Sequence, residues 1–160
     1  QQQADGSWLP LWFGNEHRPG DTNPVYGTGK VLLALAEVQP DSCVALTGAK
    51  WLLSQQHAGG GWGPPPDERR TRKQADYPPC SIEETAVAVE ALLPWIDLIP
   101  AARSAVNAGC GWLATAVQQG ELDSPAPIGL YFAKLWYYEK LYPKTFAVSA
   151  LGAAVHRGVR

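Results

Sequence analysis

The sequence repeats one short element in which a glutamine is followed at close range by a glycine and then a tryptophan. One copy is Gln2–Trp8 (QQADGSW) and a second is Gln55–Trp62 (QQHAGGGW). A third segment, Trp112–Gly120, has a tryptophan and two glutamines but lacks the closing tryptophan. The glutamine pairs recur at intervals of 53 and 63 residues, which is the size of a supersecondary unit. The chain is therefore expected to contain a repeated unit of that size.

Each element is expected to tie neighbouring helices together. A helix ends near the glutamine, a turn that needs glycine reverses the chain, and the tryptophan lies back on the preceding helix. The glutamine amide can satisfy unpaired backbone groups at helix ends, and burying an indole ring contributes about 2–3 kcal/mol. The residues assigned to this structural role are Gln3, Gly6, Trp8, Gln56, Gly60 and Trp62.

Hydrophobic periodicity between these elements is helical. Apolar residues recur every three or four positions, and strand signals are weak throughout. Ser81 and Glu84 have the spacing of a capping box and open one of the helices. The predicted helices are 30–38, 49–56, 85–96, 101–119, 129–142 and 144–156. The fold class is therefore predicted to be all-α.

Composition and charge exclude several classes of function. The formal net charge is −2 and the sequence pI about 5.9, so no basic field is present and no nucleic-acid partner is predicted. Apolar runs fall far short of the ~20 residues of a membrane span. The three cysteines lack CxxC spacing and the three histidines lack ligand spacing, so we predict no disulfide framework and no metal site. The chain has no methionine and begins with glutamine, so we expect a piece of a longer protein or a processed product.

The repeated element resembles the QW repeat of class II triterpene cyclases. Two further regions resemble squalene–hopene cyclases: Asp5–Trp12 followed by Asn23–Gly29, and Tyr137–Pro143 followed by an apolar helix. The resemblance runs from residue 1 to about residue 157 in the family's order, and it is to the C-terminal portion of the family. It implies that residues 1–160 are the C-terminal part of a squalene-cyclase-type domain, folded as a partial α/α barrel (toroid) of inner and outer helices.

The resemblance also implies an enzyme whose complete form cyclises squalene, or a similar polyprenyl hydrocarbon, to pentacyclic hopanoids after protonating it, without a metal or other cofactor. Aromatic faces in a dry cavity would stabilise each carbocation by ~0.5–2 kcal/mol per ring. Tyr131 and Tyr138 are seven residues apart and would share one face of the predicted helix, although core packing is the alternative for such a stripe. The residues that match cavity positions of the family are Trp12, Tyr26, Tyr131, Phe132 and Tyr138.

Two features depart from the family pattern. The family starts its reaction at a DxDD motif, which this sequence lacks. The adjacent acids Glu83–Glu84 and Asp67–Glu68 are interpreted as a helix first turn and a solvated loop, so no catalytic residue is assigned and the segment alone is predicted to be inactive. Residues 15–22 form an insertion between Trp12 and Tyr26. The alternative function is a non-catalytic all-α repeat module that binds an apolar ligand or a protein partner.

The surroundings of the complete protein are also implied by the resemblance. Because squalene resides in bilayers, we expect a cytoplasmic protein with peripheral, monotopic membrane contact. Ala91–Ile99 (ALLPWIDLI) is the candidate contact segment, with burial in the core as its alternative. The remainder of the cyclase chain is an expected partner, since half a barrel leaves inner-helix faces uncovered. In isolation the piece is expected to be a homodimer, aggregated or only partly ordered.

Overall fold

The computed structural model describes residues 1–64, 80–126, 128–130 and 135–159. Its helices are α1 (Pro24–Val38), α2 (Cys43–Ser54), α3 (Ile82–Leu92), α4 (Pro100–Gln118) and α5 (Tyr142–His156). Its strands are β1 (Phe13–Gly14), β2 (Ile128–Leu130) and β3 (Leu135–Tyr137). Short 3-10 turns occur at Pro19–Asp21, Leu93–Trp95 and Glu121–Asp123. The all-α prediction is confirmed, with a small sheet added to it.

Capping side chains fix where three helices begin. Asn23 accepts a hydrogen bond from the backbone N–H of Tyr26 at 3.1 Å, so α1 begins at Pro24 rather than at residue 30. Ser42 caps α2 in the same way, since its Oγ accepts from the backbone N–H of Ala45 at 3.2 Å. Helix α2 therefore begins at Cys43 rather than at the predicted residue 49. Ser81 accepts from the backbone N–H of Glu84 at 3.1 Å, which confirms the predicted cap of α3.

The helices form two layers. The inner layer contains α1, α3 and α5, with α3 in the middle, and the outer layer contains α2 and α4. Because α3 has neighbours on both sides and behind it, ten of its eleven residues are buried. Close approach of the helices depends on glycine: Gly29 of α1 lies against Val87, and Gly109 of α4 lies against Val89, with no room for a Cβ at either glycine.

The predicted helix over 129–142 is wrong. Its first and middle parts are strands, β2 pairing antiparallel with β3 through Gly129 and Trp136, and with β1 through Gly129 and Gly14. Gly129 permits this pairing because a Cβ there would collide with the carbonyl oxygen of Leu135. Tyr138 directly follows β3 and does not lie in a helix. Tyr131 and Phe132 themselves lie outside the described residues.

Burial decides between the two interpretations of Ala91–Ile99. Leu92, Trp95 and Ile96 are buried, and the indole N–H of Trp95 donates to the carbonyl oxygen of Pro40 at 3.2 Å. Most of the segment therefore packs in the hydrophobic core, and it does not support the expected membrane contact. None of the helices in the described ranges has the length and apolar character that a membrane crossing requires.

Candidate functional site

The two Gln–Gly–Trp elements make equivalent hydrogen bonds. Gln56 Nε2 donates to the carbonyl oxygens of its own Gly60 and of Ala105 in α4, both at 2.8 Å. Gln2 Nε2 makes the corresponding bonds at 2.9 Å to the glycine of its element and at 3.1 Å to Val44 in α2. Each glutamine therefore closes its own turn and attaches it to an outer helix.

The glutamine of the first element is Gln2, so the assignment to Gln3 is wrong. Gln3 closes the turn with its backbone N–H and carbonyl, as His57 does in the second element, and its side chain is exposed. Gln2 and Gln56 each precede their tryptophan by six positions, which sets the register of both elements.

The tryptophans attach the elements to the inner helices. Trp62 is fully buried, and its indole N–H donates to the carbonyl oxygen of Leu52 at 2.8 Å. Its backbone N–H donates to Thr85 Oγ1 in α3, and that of Trp8 donates to Thr28 Oγ1 in α1, each at 2.9 Å. Each element thus joins an outer helix, through its glutamine side chain, to an inner helix, through the backbone N–H of its tryptophan, and the indole of Trp62 adds a bond to the outer helix α2.

An aromatic cluster lies where the small sheet meets the first turns of α1 and α5. The ring centroids of Phe13 and Tyr26 are 5.9 Å apart, and those of Tyr142 and Phe146 are 5.8 Å apart. Lys30 links the two pairs, because its Nζ lies 5.6 Å from the centroids of both Tyr26 and Phe146. The ring faces of this aromatic cluster therefore already hold one cation.

Of the predicted cavity residues, Tyr26 belongs to the aromatic cluster, and Trp12 and Tyr138 adjoin the small sheet. Burial raises the pKa of the Tyr26 hydroxyl. Trp12 comes directly before β1 and is 60% exposed. Tyr138 directly follows β3 and is 48% exposed, and its hydroxyl donates a hydrogen bond to the carboxylate of Glu16. By the register of the sheet, Trp12 and Tyr138 adjoin it at opposite ends.

A buried acid pair, Glu83 and Glu84, stands at the start of α3, with 1% and 2% of their surface exposed. Glu84 has several polar partners. Its Oε1 lies 3.4 Å from Nε of Arg18, and its Oε2 accepts from Ser81 Oγ at 3.0 Å and from Asn15 Nδ2 at 3.3 Å. The negative charge of Glu84 is therefore balanced by a buried cation and two neutral donors.

Glu83 is in a different electrostatic situation. Its Oε1 accepts from the backbone N–H of Ala126 at 2.9 Å, and its Oε2 has no hydrogen-bond partner among the described residues. Burial raises the pKa of Glu83 to about 7, the backbone hydrogen bonds oppose the rise, and the charge of Glu84 adds to it. The two adjacent carboxyl groups thus differ in their partners, because Glu84 lies beside a buried cation and Glu83 has one backbone donor.

Residues 15–22 supply two of the partners of Glu84, Asn15 and Arg18. Arg18 also donates to the carbonyl oxygen of Gly63 at 2.6 Å, and burial lowers the pKa of its guanidinium while Glu84 opposes that change. Asn15 and Glu84 line a cavity of about 300 Å³ that extends to Trp112 of α4. Within the described ranges, no cluster of three or more His, Cys, Asp or Glu side chains could hold a metal ion.

Comparison with known proteins gives a family match and several relatives. The family model of the squalene-hopene cyclase C-terminal domain matches residues 1–156. An ent-copalyl diphosphate synthase of Streptomyces sp. (strain KO-3988) is 28% identical over 152 residues, covering 94% of this chain and 24% of that protein. A squalene–hopene cyclase of Bradyrhizobium diazoefficiens is 30% identical over 155 residues, covering 89% of this chain and 21% of that protein.

A solved structure shows the same fold. The ent-copalyl diphosphate synthase from Streptomyces platensis superposes with a TM-score of 0.59 at 25% identity, covering 98% of this chain and 25% of that one. The resemblance stated from the sequence is confirmed, and these relatives are terpene cyclases. The chain spans about a quarter of the length of the relatives it matches.

Proposed function

The chain belongs to the squalene-hopene cyclase C-terminal domain family, and on that premise we propose that it forms one wall of the reaction cavity of a terpene cyclase. In the proposed reaction a proton starts the cyclisation of a polyprenyl hydrocarbon, with squalene as the first candidate and a pentacyclic hopanoid as the product. The observation that carries the proposal is the aromatic cluster, whose ring faces hold the ammonium group of Lys30.

Aromatic faces suit this chemistry because they stabilise a cation without reacting with it. Polyene cyclisation moves positive charge along a hydrocarbon, and each ring face contributes ~0.5–2 kcal/mol to a nearby cation. The exposed side chain of Lys30 has four rotatable bonds, so it can leave the rings when a carbocation takes its place. Trp12 and Tyr138 would extend the same wall beyond the aromatic cluster, and excluding water from it would keep the cations from being quenched.

The acid that starts the reaction is proposed to lie elsewhere in the complete protein. Protonating an alkene requires a carboxylic acid made strong by hydrogen bonds and nearby charges. Glu83 has its pKa raised to about 7, which makes it a weaker acid than an ordinary glutamate. Residues 1–160 alone are therefore proposed to be inactive, with the rest of the cyclase chain as their partner.

The proposal is tested by gas chromatography of the products formed by the complete protein and by residues 1–160 alone. Squalene is the first substrate, and a linear isoprenyl diphosphate is the second, because one relative is named an ent-copalyl diphosphate synthase. Cyclised product from the complete protein and none from the segment would support the proposal. No product from the complete protein with either substrate would contradict it and favour the non-catalytic binding module.

Variants of the aromatic cluster make the test specific. Tyr26→Leu in the complete protein should lower the rate of product formation between about 2-fold and 30-fold, because one ring face is lost. Trp51→Phe is the matched control, since its indole N–H donates to Asp5 on the outer side of the fold, and it should leave the rate unchanged. Equal rates of product formation for the wild type, Tyr26→Leu and Trp51→Phe would show that the aromatic cluster takes no part in the mechanism.

A further inference from the structure

Glu83 lies on the face of α3 that points toward the other inner helices. On that face Val87 packs against Gly29 of α1, and the carboxylate of Glu90 accepts from the hydroxyl of Ser149 of α5. Glu83 precedes Val87 by four positions and Glu90 by seven, so the three side chains leave the helix in the same direction. The opposite face of α3 packs on the outer helix α4. Glu83 therefore points to the side on which the proposed cavity lies.

The carboxyl group of Glu83 is hydrogen-bonded at one oxygen and unpaired at the other. The backbone N–H of Ala126, just before β2, donates to Oε1 at 2.9 Å. Oε2 is buried and meets no hydrogen-bond donor in the described part of the chain. An unpaired buried polar atom costs ~1–3 kcal/mol, so its presence needs a structural or functional reason.

We propose that Glu83 is the catalytic base that ends the cyclisation by taking a proton from the final carbocation. The inference rests on the proposed function and adds a residue to it. In this step a C–H bond next to the cationic carbon breaks, and its electron pair becomes the second bond of an alkene. The proton bonds to Oε2 of the carboxylate, so the positive and negative charges are both neutralised and no further reactant is needed. The acid then releases the proton to solvent before the next turnover.

The surroundings of Glu83 fit a proton acceptor. The bond from Ala126 fixes the carboxyl plane and leaves the lone pairs of Oε2 available. Burial, which raises the pKa of Glu83 to about 7, makes its carboxylate a stronger base than an exposed glutamate. Arg18, the buried cation of this region, pairs with Glu84 instead and so leaves the negative charge of Glu83 available to a carbocation.

The decisive experiment compares the products of the complete protein with those of its Glu83→Gln variant between pH 6 and 8. In the wild type, the fraction of alkene product should rise with pH as Glu83 ionises. In Glu83→Gln it should fall at least ~10-fold and lose this pH dependence, with alcohols from water addition in its place. Among the described residues, the other titratable or charged groups around this turn include His17, Arg18, Cys80 and Glu84, and they are unchanged in the variant. A pH profile that persists in Glu83→Gln therefore belongs to one of them and overturns the proposal.

Glu90→Gln is the matched control because Glu90 shares the helix and the face but already accepts a hydrogen bond from Ser149. It should leave the ratio of alkene to alcohol unchanged, and a change as large as that of Glu83→Gln would overturn the proposal. The amide of Glu83→Gln can still accept from Ala126, so the variant should fold. Should it fail to fold, Glu83→Asp, with a shorter carboxylate, should fold and show a smaller loss of alkene.

A binding measurement separates this inference from the proposed function. Decyltrimethylammonium is a permanent cation with an apolar chain, and it does not titrate itself. Its affinity for the wild-type protein should rise several-fold from pH 6 to 8 and stay flat for Glu83→Gln. If the wild type converts no isoprenoid, the proposed function fails whatever this titration shows, and the assignment of Glu83 as a base fails with it. If the wild type is active but Glu83→Gln matches it in products and in cation affinity, only the assignment of Glu83 fails.

Discussion

The backbone N–H of Trp62 donates to Thr85 Oγ1 at 2.9 Å, and the hydroxyl of Thr85 donates back to the carbonyl oxygen of Trp62 at 3.2 Å. A single side chain of α3 thus binds both backbone polar groups of a fully buried residue in the preceding loop. In the first element, Thr28 Oγ1 accepts a hydrogen bond from the backbone N–H of Trp8, also at 2.9 Å. The repeated elements are therefore attached to the inner helices by side-chain hydroxyl groups, and removing one should be costly.

Thr85→Val should destabilise the fold by about 1–3 kcal/mol, because valine keeps the shape of threonine but leaves the N–H of Trp62 buried and unpaired. The carbonyl oxygen of Trp62 retains the bond from the backbone N–H of Ser81, so it adds little to the loss. Thr85→Ser keeps the hydroxyl and should lose less. Urea unfolding followed by tryptophan fluorescence measures both variants, and equal stabilities for the two would contradict the role of the hydroxyl.

Gly60→Ala should destabilise the fold by at least ~2 kcal/mol for two reasons. Gly60 has φ of +94°, which a residue with a Cβ rarely adopts, and its added Cβ would lie 2.6 Å from the carbonyl oxygen of Ala108. The neighbouring Gly59 is the matched control, since a Cβ there meets no atom within 4 Å. Gly59→Ala should therefore leave the midpoint of thermal unfolding nearly unchanged, and a larger effect there than at Gly60 would refute this explanation.

Gln2→Ala and Gln3→Ala separate the two adjacent glutamines of the first element. Gln2→Ala removes the bonds to the carbonyl oxygens of Gly6 and Val44, and should destabilise the fold by about 1–2 kcal/mol. Gln3→Ala removes an exposed side chain and should change the stability by less than ~0.5 kcal/mol. Chemical unfolding of the two variants under identical conditions gives the comparison. The reverse order of stabilities would restore the assignment to Gln3.

Local signals in the sequence predict the parts of the fold that depend on nearby residues. Ser81 acts as the N-cap of α3 because its hydroxyl reaches an amide three residues away, and such a contact is encoded within one turn. The choice between Gln2 and Gln3 needed the spacing of the second element, in which a single glutamine lies six positions before Trp62. Counting back from each tryptophan would have identified Gln2.

Long-range contacts explain what the sequence did not reveal. Residues 128–130 and 135–137 form strands because β2 pairs with β3 and with β1, which lies more than a hundred residues earlier in the sequence. The local hydrophobic periodicity does not reveal such a distant partner. The burial of Glu83 and Glu84 did leave a signal. The residues that follow them, 85–93, are apolar apart from Thr85 and Glu90, which is typical of a helix with neighbours on most sides. Acids in the first turn of such a helix are expected to be buried with it.

Arg18→Met should destabilise the fold by about 3–5 kcal/mol at neutral pH, because it leaves Glu84 as a buried charge without a counter-ion. Methionine retains most of the apolar stem of arginine, so the loss reports mainly on charge. The double variant Arg18→Met/Glu84→Gln should recover much of the stability, since no buried charge is left. Chemical unfolding of Arg18→Met, Glu84→Gln and the double variant completes a double-mutant cycle. Additive changes in the free energy of unfolding would show that Arg18 and Glu84 do not interact.

The stability of the wild type should decrease with pH between about 4 and 8 relative to that of Glu83→Gln. The pKa of Glu83 is about 7 in the folded chain against an ordinary value of 4.5, so the folded state binds the proton more tightly than the unfolded state. Its stabilising contribution is complete below the unfolded pKa and is lost as the pH rises through 7, a change on the order of 3 kcal/mol. Groups common to both proteins, such as Arg18 and Glu84, cancel in the difference between their unfolding free energies. Urea unfolding of both proteins at several pH values measures that difference, and a difference that does not vary with pH would show that Glu83 titrates like an exposed glutamate.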